Sequence, residues 1–117
     1  MAAPNIAGLT TITGKTAVQA VGTSATAIVT NAASSGKAFR INSLYISNVD
    51  GASNADVTVD LFRSSTAYHL AKTMVVPADA SVDLLSRTLY LEEGDALRIT
   101  ASATGDLEAV CSYEELS

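Results

Sequence analysis

Hydrophobic and polar residues alternate with a period of two along most of this chain. The clearest run is 56–63 (DVTVDLFR), where Val57, Val59 and Leu61 fall on one face and Thr58 and Asp60 on the other. Such alternation marks a half-buried antiparallel strand. The same signal recurs in 25–31 (ATAIVTN) and in 66–76, where Tyr68, Leu70, Met74 and Val76 share a parity. It closes the chain in 89–113 (LYLEEGDALRITASATGDLEAVCSY). There, Leu97/Ile99/Ala101 and Leu107/Ala109/Cys111/Tyr113 read as two strands of a closing hairpin, each preceded by a Gly/Asp turn.

Residues 38–49 (AFRINSLYISNV) predict one long strand with a phase flip. Phe39 and Ile41 share a parity, and Leu44 and Ile46 lie on the other. A bulge at Asn42-Ser43 restores the facing. The pattern further predicts a strand pair, 9–13 and 15–21, around Gly14, and strand pieces 81–86 and 88–92 around Arg87. Phe62 breaks the parity of its strand and is expected to cover a second apolar surface. Turns fall at 32–36, at 50–54 and at Pro77–Ala80, where proline blocks further pairing. No amphipathic helical period is visible.

About eight strands at 8–12-residue spacing predict a single-domain, all-β antiparallel sandwich over residues 9–117. The pattern does not contain strand order. A jelly-roll-like order is favoured over an immunoglobulin-like one. Residues 1–8 (MAAPNIAG) read as an extended N-terminal arm, because Pro4 lacks a donor and Gly8 is permissive. Neither a signal peptide nor a membrane span is predicted from the pattern.

Composition changes this picture in two ways. Only 16% of the 117 residues are charged, so Ser, Thr and Ala must cover much of the surface. That surface packs readily against other subunits. The net charge is −5, and the seven basic residues are scattered, so nucleic-acid binding, which needs clustered Lys and Arg, is not expected. The one cysteine, Cys111, forbids an intrachain disulfide and suits a chain made in a reducing cytoplasm.

Candidate chemistry is sparse. His69, the one histidine, lies on the strand parity opposite Tyr68 and Leu70 and reads as outward-facing, with no nucleophile or orienting carboxylate placed beside it. The loop Asp50–Asp56 carries oxygen ligands, but Ala55 and Leu61 occupy the places where a calcium loop needs Gly and Glu. An Asx turn is the better reading. Glu92, Glu93 and Asp95 read as a solvated turn and not as a glycosidase pair. Gly14-Lys15-Thr16 matches only the tail of a P-loop. Cys111 reads as a buried thiol. Tyr45, Tyr68, Tyr90 and Tyr113 read as contact residues at sheet or subunit surfaces. No catalytic residue, cofactor or metal site is assigned, and an enzyme is not expected.

Three segments together, 1–31, 36–61 (GKAFRINSLYISNVDGASNADVTVDL) and 89–115, resemble the small β-rich virion structural proteins of tailed bacteriophages, especially those infecting marine cyanobacteria. "INSLYISNVDG" and "LEEGDALRITAS" are the most specific parts. The resemblance implies a capsid decoration (cement) protein, made in the host cytoplasm and carried on the virion surface. It implies a homotrimer bound where major capsid proteins meet. The alternatives are a tail, baseplate or fibre-attachment module, and a virion-surface carbohydrate-binding module. Within this reading Ala3, Pro4, Asn5 and Ile6 of the arm are the expected capsid or subunit contacts, acting by strand addition.

Overall fold

The computed structural model describes residues 6–117. A short 3₁₀ turn, Ile6–Gly8, precedes nine strands: β1 (Ile12–Ala20), β2 (Thr26–Thr30), β3 (Ala38–Asn48), β4 (Ala55–Arg63), β5 (Thr66–Val76), β6 (Ser81–Asp83), β7 (Leu89–Leu91), β8 (Ala96–Ala101) and β9 (Leu107–Leu116). All pairings are antiparallel. The first sheet has the order β1-β9-β3-β6, with β7 also on the β6 side of β3; the second has the order β2-β8-β4-β5. Counting β6 and β7 as one interrupted strand gives four nested pairs, first with last and so on inward. That is a long hairpin rolled into two facing sheets, the jelly roll. Among the described residues no helix is long and apolar enough to cross a membrane.

The core lies where the inward parities of both sheets meet. Ile41, Leu44, Ile46, Val57, Val59, Leu91, Leu97, Ile99 and Cys111 are fully enclosed. The phase flip in β3 is a real bulge. The register to β9 steps from Ile41 to Ser43, past Asn42, so Phe39, Ile41, Leu44 and Ile46 all face inward.

Several sequence expectations are corrected. Gly14 is not a turn, because β1 runs straight through it in nine consecutive pairs with β9. Strands β8 and β9 are not a hairpin. They belong to different sheets, and residues 102–106 arch across the core between them. Residues 6–8 form a 3₁₀ turn, and residues 1–5 of the predicted arm lie outside the described residues. Tyr68 and Leu70 are exposed, at 58% and 41%. The β4–β5 register shifts twice, between Val57 and Val59 and between Val59 and Asp60, so β5 loses the simple parity that its sequence shows. That hairpin turns on Ser64 and Ser65, both at positive φ (52° and 60°). A two-residue primed turn demands this conformation and usually takes Asn-Gly to reach it.

Candidate functional site

The outer face of the first sheet carries a row of exposed apolar side chains. Register places Val18 of β1 beside Val110 of β9, and Val110 beside Tyr45 of β3. Their side chains form a row across three strands, 74%, 41% and 48% exposed respectively. The next row on one side, Thr16, Ser112 and Ser43, is small and hydroxylated; on the other, Ala20 and Ser47 flank the carboxylate of Glu108. Val18, Ala20, Glu108 and Val110 line a shallow groove there. The sequence singled out only Tyr45 among these residues, as a contact residue. It could not show that three separate strands bring them into line.

Ion pairs flank this face. Arg40 holds Glu114 at 2.6 Å on the outer side. The hydrogen bond from Arg40 is the main cause holding the Glu114 carboxyl below the usual range. On the opposite side of the sheet, Lys15 (2.9 Å) and Lys37 (3.1 Å) share Glu115. The hydrogen bond from Lys15, ahead of that from Lys37, likewise lowers the Glu115 carboxyl. In the second sheet, Asp60 shares the outward parity of Thr58 yet is only 3% exposed. Arg98 lies across it with two hydrogen bonds, 2.9 and 3.2 Å. The same guanidinium sits 3.9 Å above the Phe62 ring. Phe62 therefore lies against a guanidinium and not against the second apolar surface expected of it.

The acidic turn needs correction. Glu92 is exposed, but Asp95 is 1% exposed. Arg63 Nε donates to Asp95 Oδ1 (2.8 Å), and the Glu92 N–H donates to Oδ2 (2.8 Å). Glu93 accepts the Gly36 N–H at 2.9 Å. Two buried asparagines that the sequence does not single out fasten loop and strand carbonyls at the two ends of the sandwich. Asn31 Nδ2 donates to Lys37 O and Leu91 O at one end of the sandwich. Asn48 Nδ2 donates to Ser53 O and Val76 O at the other. Their signal in the sequence is weak. Each follows a strand or ends one, where an exposed loop asparagine would look the same.

The other singled-out residues are dispersed. His69 is exposed on β5. The loop after β3 is an Asx turn, with Asp50 Oδ1 accepting the Ala52 N–H at 2.9 Å. Cys111 is enclosed, and burial pushes its thiol up to about 11. Tyr113 stacks on Phe39 at 5.7 Å between ring centres. Tyr45, Tyr68 and Tyr90 are exposed on three different strands, β3, β5 and β7. Among the described residues no group of three His, Cys, Asp or Glu is placed to hold a metal ion. Of the expected contact residues, Ala3, Pro4 and Asn5 lie outside the described residues, and Ile6 is half exposed in the 3₁₀ turn.

No protein-family model and no curated protein matches the chain. Among solved structures, it is similar to a Bacillus endospore appendage protein from a family of disulfide-linked pili. The TM-score is 0.55 and the identity 15%, over 100% of this chain and 96% of that one. This full-length likeness shows a shared fold. A pentameric capsid protein from metagenomic phage sequences aligns at a TM-score of 0.43 and 19% identity, over 86% of this chain and 60% of that one.

Proposed function

We propose that this chain is a structural subunit of a bacteriophage virion, and more narrowly a capsid decoration protein. It binds as a homotrimer where major capsid proteins meet on the expanded head. The observation that carries the reading is the exposed Val18–Val110–Tyr45 row on the outer face of the first sheet. Large apolar side chains lined up on such a face gain most when a partner surface covers them. The resemblance of the three sequence segments to phage virion proteins supplies the partner. The pilus protein of the same fold supports a building role, since it too is a subunit of an assembly.

Decoration works by mass action. A subunit that binds the expanded shell and not its precursor adds its binding free energy to the expanded state. Many weak copies then act together. Quantitative mass spectrometry of purified virions tests this directly, and hundreds of copies per particle are expected. A dozen or fewer would move the protein to the tail or baseplate. Val110→Asp puts a charge in the middle of the row without touching the core. It is expected to keep the fold by circular dichroism and to weaken binding to expanded capsids by about tenfold or more, the equivalent of about 1.4 kcal/mol.

The N-terminal arm belongs to the same proposal. Residues 6–8 lie outside every strand, and the protein lacking residues 2–8 is expected to fold normally and to occupy fewer shell sites. Equal occupancy in a cryo-electron microscopy reconstruction would remove Ala3, Pro4, Asn5 and Ile6 from the contact.

A further inference from the structure

Among the described residues the two sheets have four free edges, and three of them are protected in recognisable ways. Strand β2 has five residues and a register shift between Ala27 and Val29. Strand β5 is bulged and carries Thr73 at φ 48°. The β6/β7 edge is broken into two three-residue pieces. Shortness, bulges and interruptions are the means by which folded proteins keep edges from pairing. Strand β1 has none of them. It is nine residues long, unshifted and exposed over most of its length, and its one charge, Lys15, is engaged by Glu115.

The direction of its free backbone groups follows from the bonds at its ends. Thr11 and Ser117 exchange both backbone hydrogen bonds at 2.9 Å, and the Val21 N–H reaches Leu107 O at 2.9 Å. With unshifted pairing between, odd-numbered residues turn N–H and C=O towards β9. Ile12, Gly14, Thr16, Val18 and Ala20 turn theirs outward, away from β9.

We infer that this edge pairs with β1 of a second copy, antiparallel and two-fold about Thr16. That register uses all five outward-facing residues at once. Thr16 meets Thr16 of the partner subunit, Gly14 meets Val18 of the partner subunit, and Ile12 meets Ala20 of the partner subunit. Each of these is a hydrogen-bonded pair. The register accounts for two oddities of the strand. Val18 is 74% exposed, and Gly14 sits in mid-strand with nothing within 4 Å of where a Cβ would be. Across the two-fold, the valine lies over the glycine. Lys15 faces Ala17 of the partner subunit, so no like charges oppose. Gln19, whose Oε1 is buried without a hydrogen-bond partner, faces Thr13 of the partner subunit. Shifting the axis by one residue to Lys15 would set two lysines opposite each other, which destabilises a pair.

The joint stands whether or not the shell reading holds. If it does hold, a two-fold contact is what links one trimer to the next, because two-fold positions lie between three-fold positions on an icosahedral shell. The pilus family that shares the fold is disulfide-linked, whereas Cys111 is enclosed in the core. The inferred joint therefore does not use a disulfide through Cys111.

Amide hydrogen exchange on the purified full-length protein, without capsids, tests the pairing at residue level. Exchange at Ile12, Gly14, Thr16, Val18 and Ala20 is expected to slow as protein concentration rises, while the odd-numbered amides stay protected throughout. Thr16→Pro removes an outward N–H and leaves the bonds to β9 intact. It is expected to weaken self-association by roughly 30-fold or more, from two lost bonds at about 1 kcal/mol each. Thr16→Lys, which changes only an exposed side chain, places like charges on the axis. It is expected to weaken association in a way that added salt relieves. Even-numbered amides that exchange fast at every concentration would overturn the proposal. So would protection that disappears on deleting residues 2–8, which would make the neighbour's arm the occupant.

Discussion

Replacing Asn31 by alanine is expected to cost about 3 kcal/mol or more of folding stability and to lower Tm by at least about 10 °C. The residue is fully enclosed. Its Nδ2 donates to Lys37 O (2.9 Å) and Leu91 O (3.0 Å), and its Oδ1 accepts the Ser35 hydroxyl (2.6 Å). Its own N–H donates to Asp95 O, and its C=O accepts the Gly94 N–H. The β2–β3 loop and the β7–β8 turn each cross from one sheet to the other, and Asn31 fastens one crossing to the other. Alanine keeps the backbone bonds but leaves two carbonyls with no donor, one of them buried, at about 1–3 kcal/mol each. Asn31→Asp is expected to cost more, because a second acceptor then faces those carbonyls. Urea denaturation followed by far-ultraviolet circular dichroism measures both. A loss below about 1 kcal/mol for the alanine variant would show that water replaces the amide and that the crossing does not depend on it.

Asn31 also shows where sequence reasoning stops. Period-two alternation located β2, β3, β4 and β9 and placed the β3 bulge, because burial on one face is a local demand that each strand records in its own residues. It misjudged Gly14. Glycine in mid-strand looks like a turn, and only the unbroken pairing with β9 shows that the strand continues. It joined β8 to β9 as a hairpin, because five intervening residues fit a turn as well as they fit an arch between sheets. It took β5 to be regular, because a bulge there lies in the pairing with β4 and barely disturbs the order of residues. The buried charges were illegible for a related reason. Asp60 pairs with Arg98, 38 residues away, and Asp95 with Arg63, 32 residues away. A carboxylate in a turn motif gives no sign of a cation brought to it by another strand. The same holds for the contact surface. Val18, Tyr45 and Val110 come from three strands, and only the register of the first sheet sets them side by side.

The second large effect is expected at Arg63 and Asp95, and its form is coupled. Burial by itself would push the Asp95 carboxyl up. The hydrogen bonds from Arg63 and the Glu92 N–H, with the charge of Arg63, more than offset this and leave it below its ordinary value. Arg63→Met strands an enclosed carboxylate and is expected to cost about 3 kcal/mol. That is the low end for breaking a buried pair, since the guanidinium is itself 40% exposed. Asp95→Asn is expected to cost about 2 kcal/mol, because the amide oxygen still accepts the Glu92 N–H that closes the turn. The double variant is expected to cost less than the sum by about 1–2 kcal/mol, since an uncharged residue 95 no longer needs its cation. The acid dependence follows from the sign of the shift. A carboxyl lower in the folded than in the unfolded chain stabilises fully above its unfolded value, about 3.9. That stability is lost as pH falls through the folded value. Glu114 and Glu115 are shifted in the same direction, so the wild-type acid limb below pH ~4 is shared. The part missing from Asp95→Asn belongs to Asp95. Denaturation of all four proteins at pH 7 and pH 3 separates the two possibilities. Additive costs with parallel acid limbs would mean that Arg63 only covers the turn and does not fasten the β4–β5 hairpin to the β7–β8 turn.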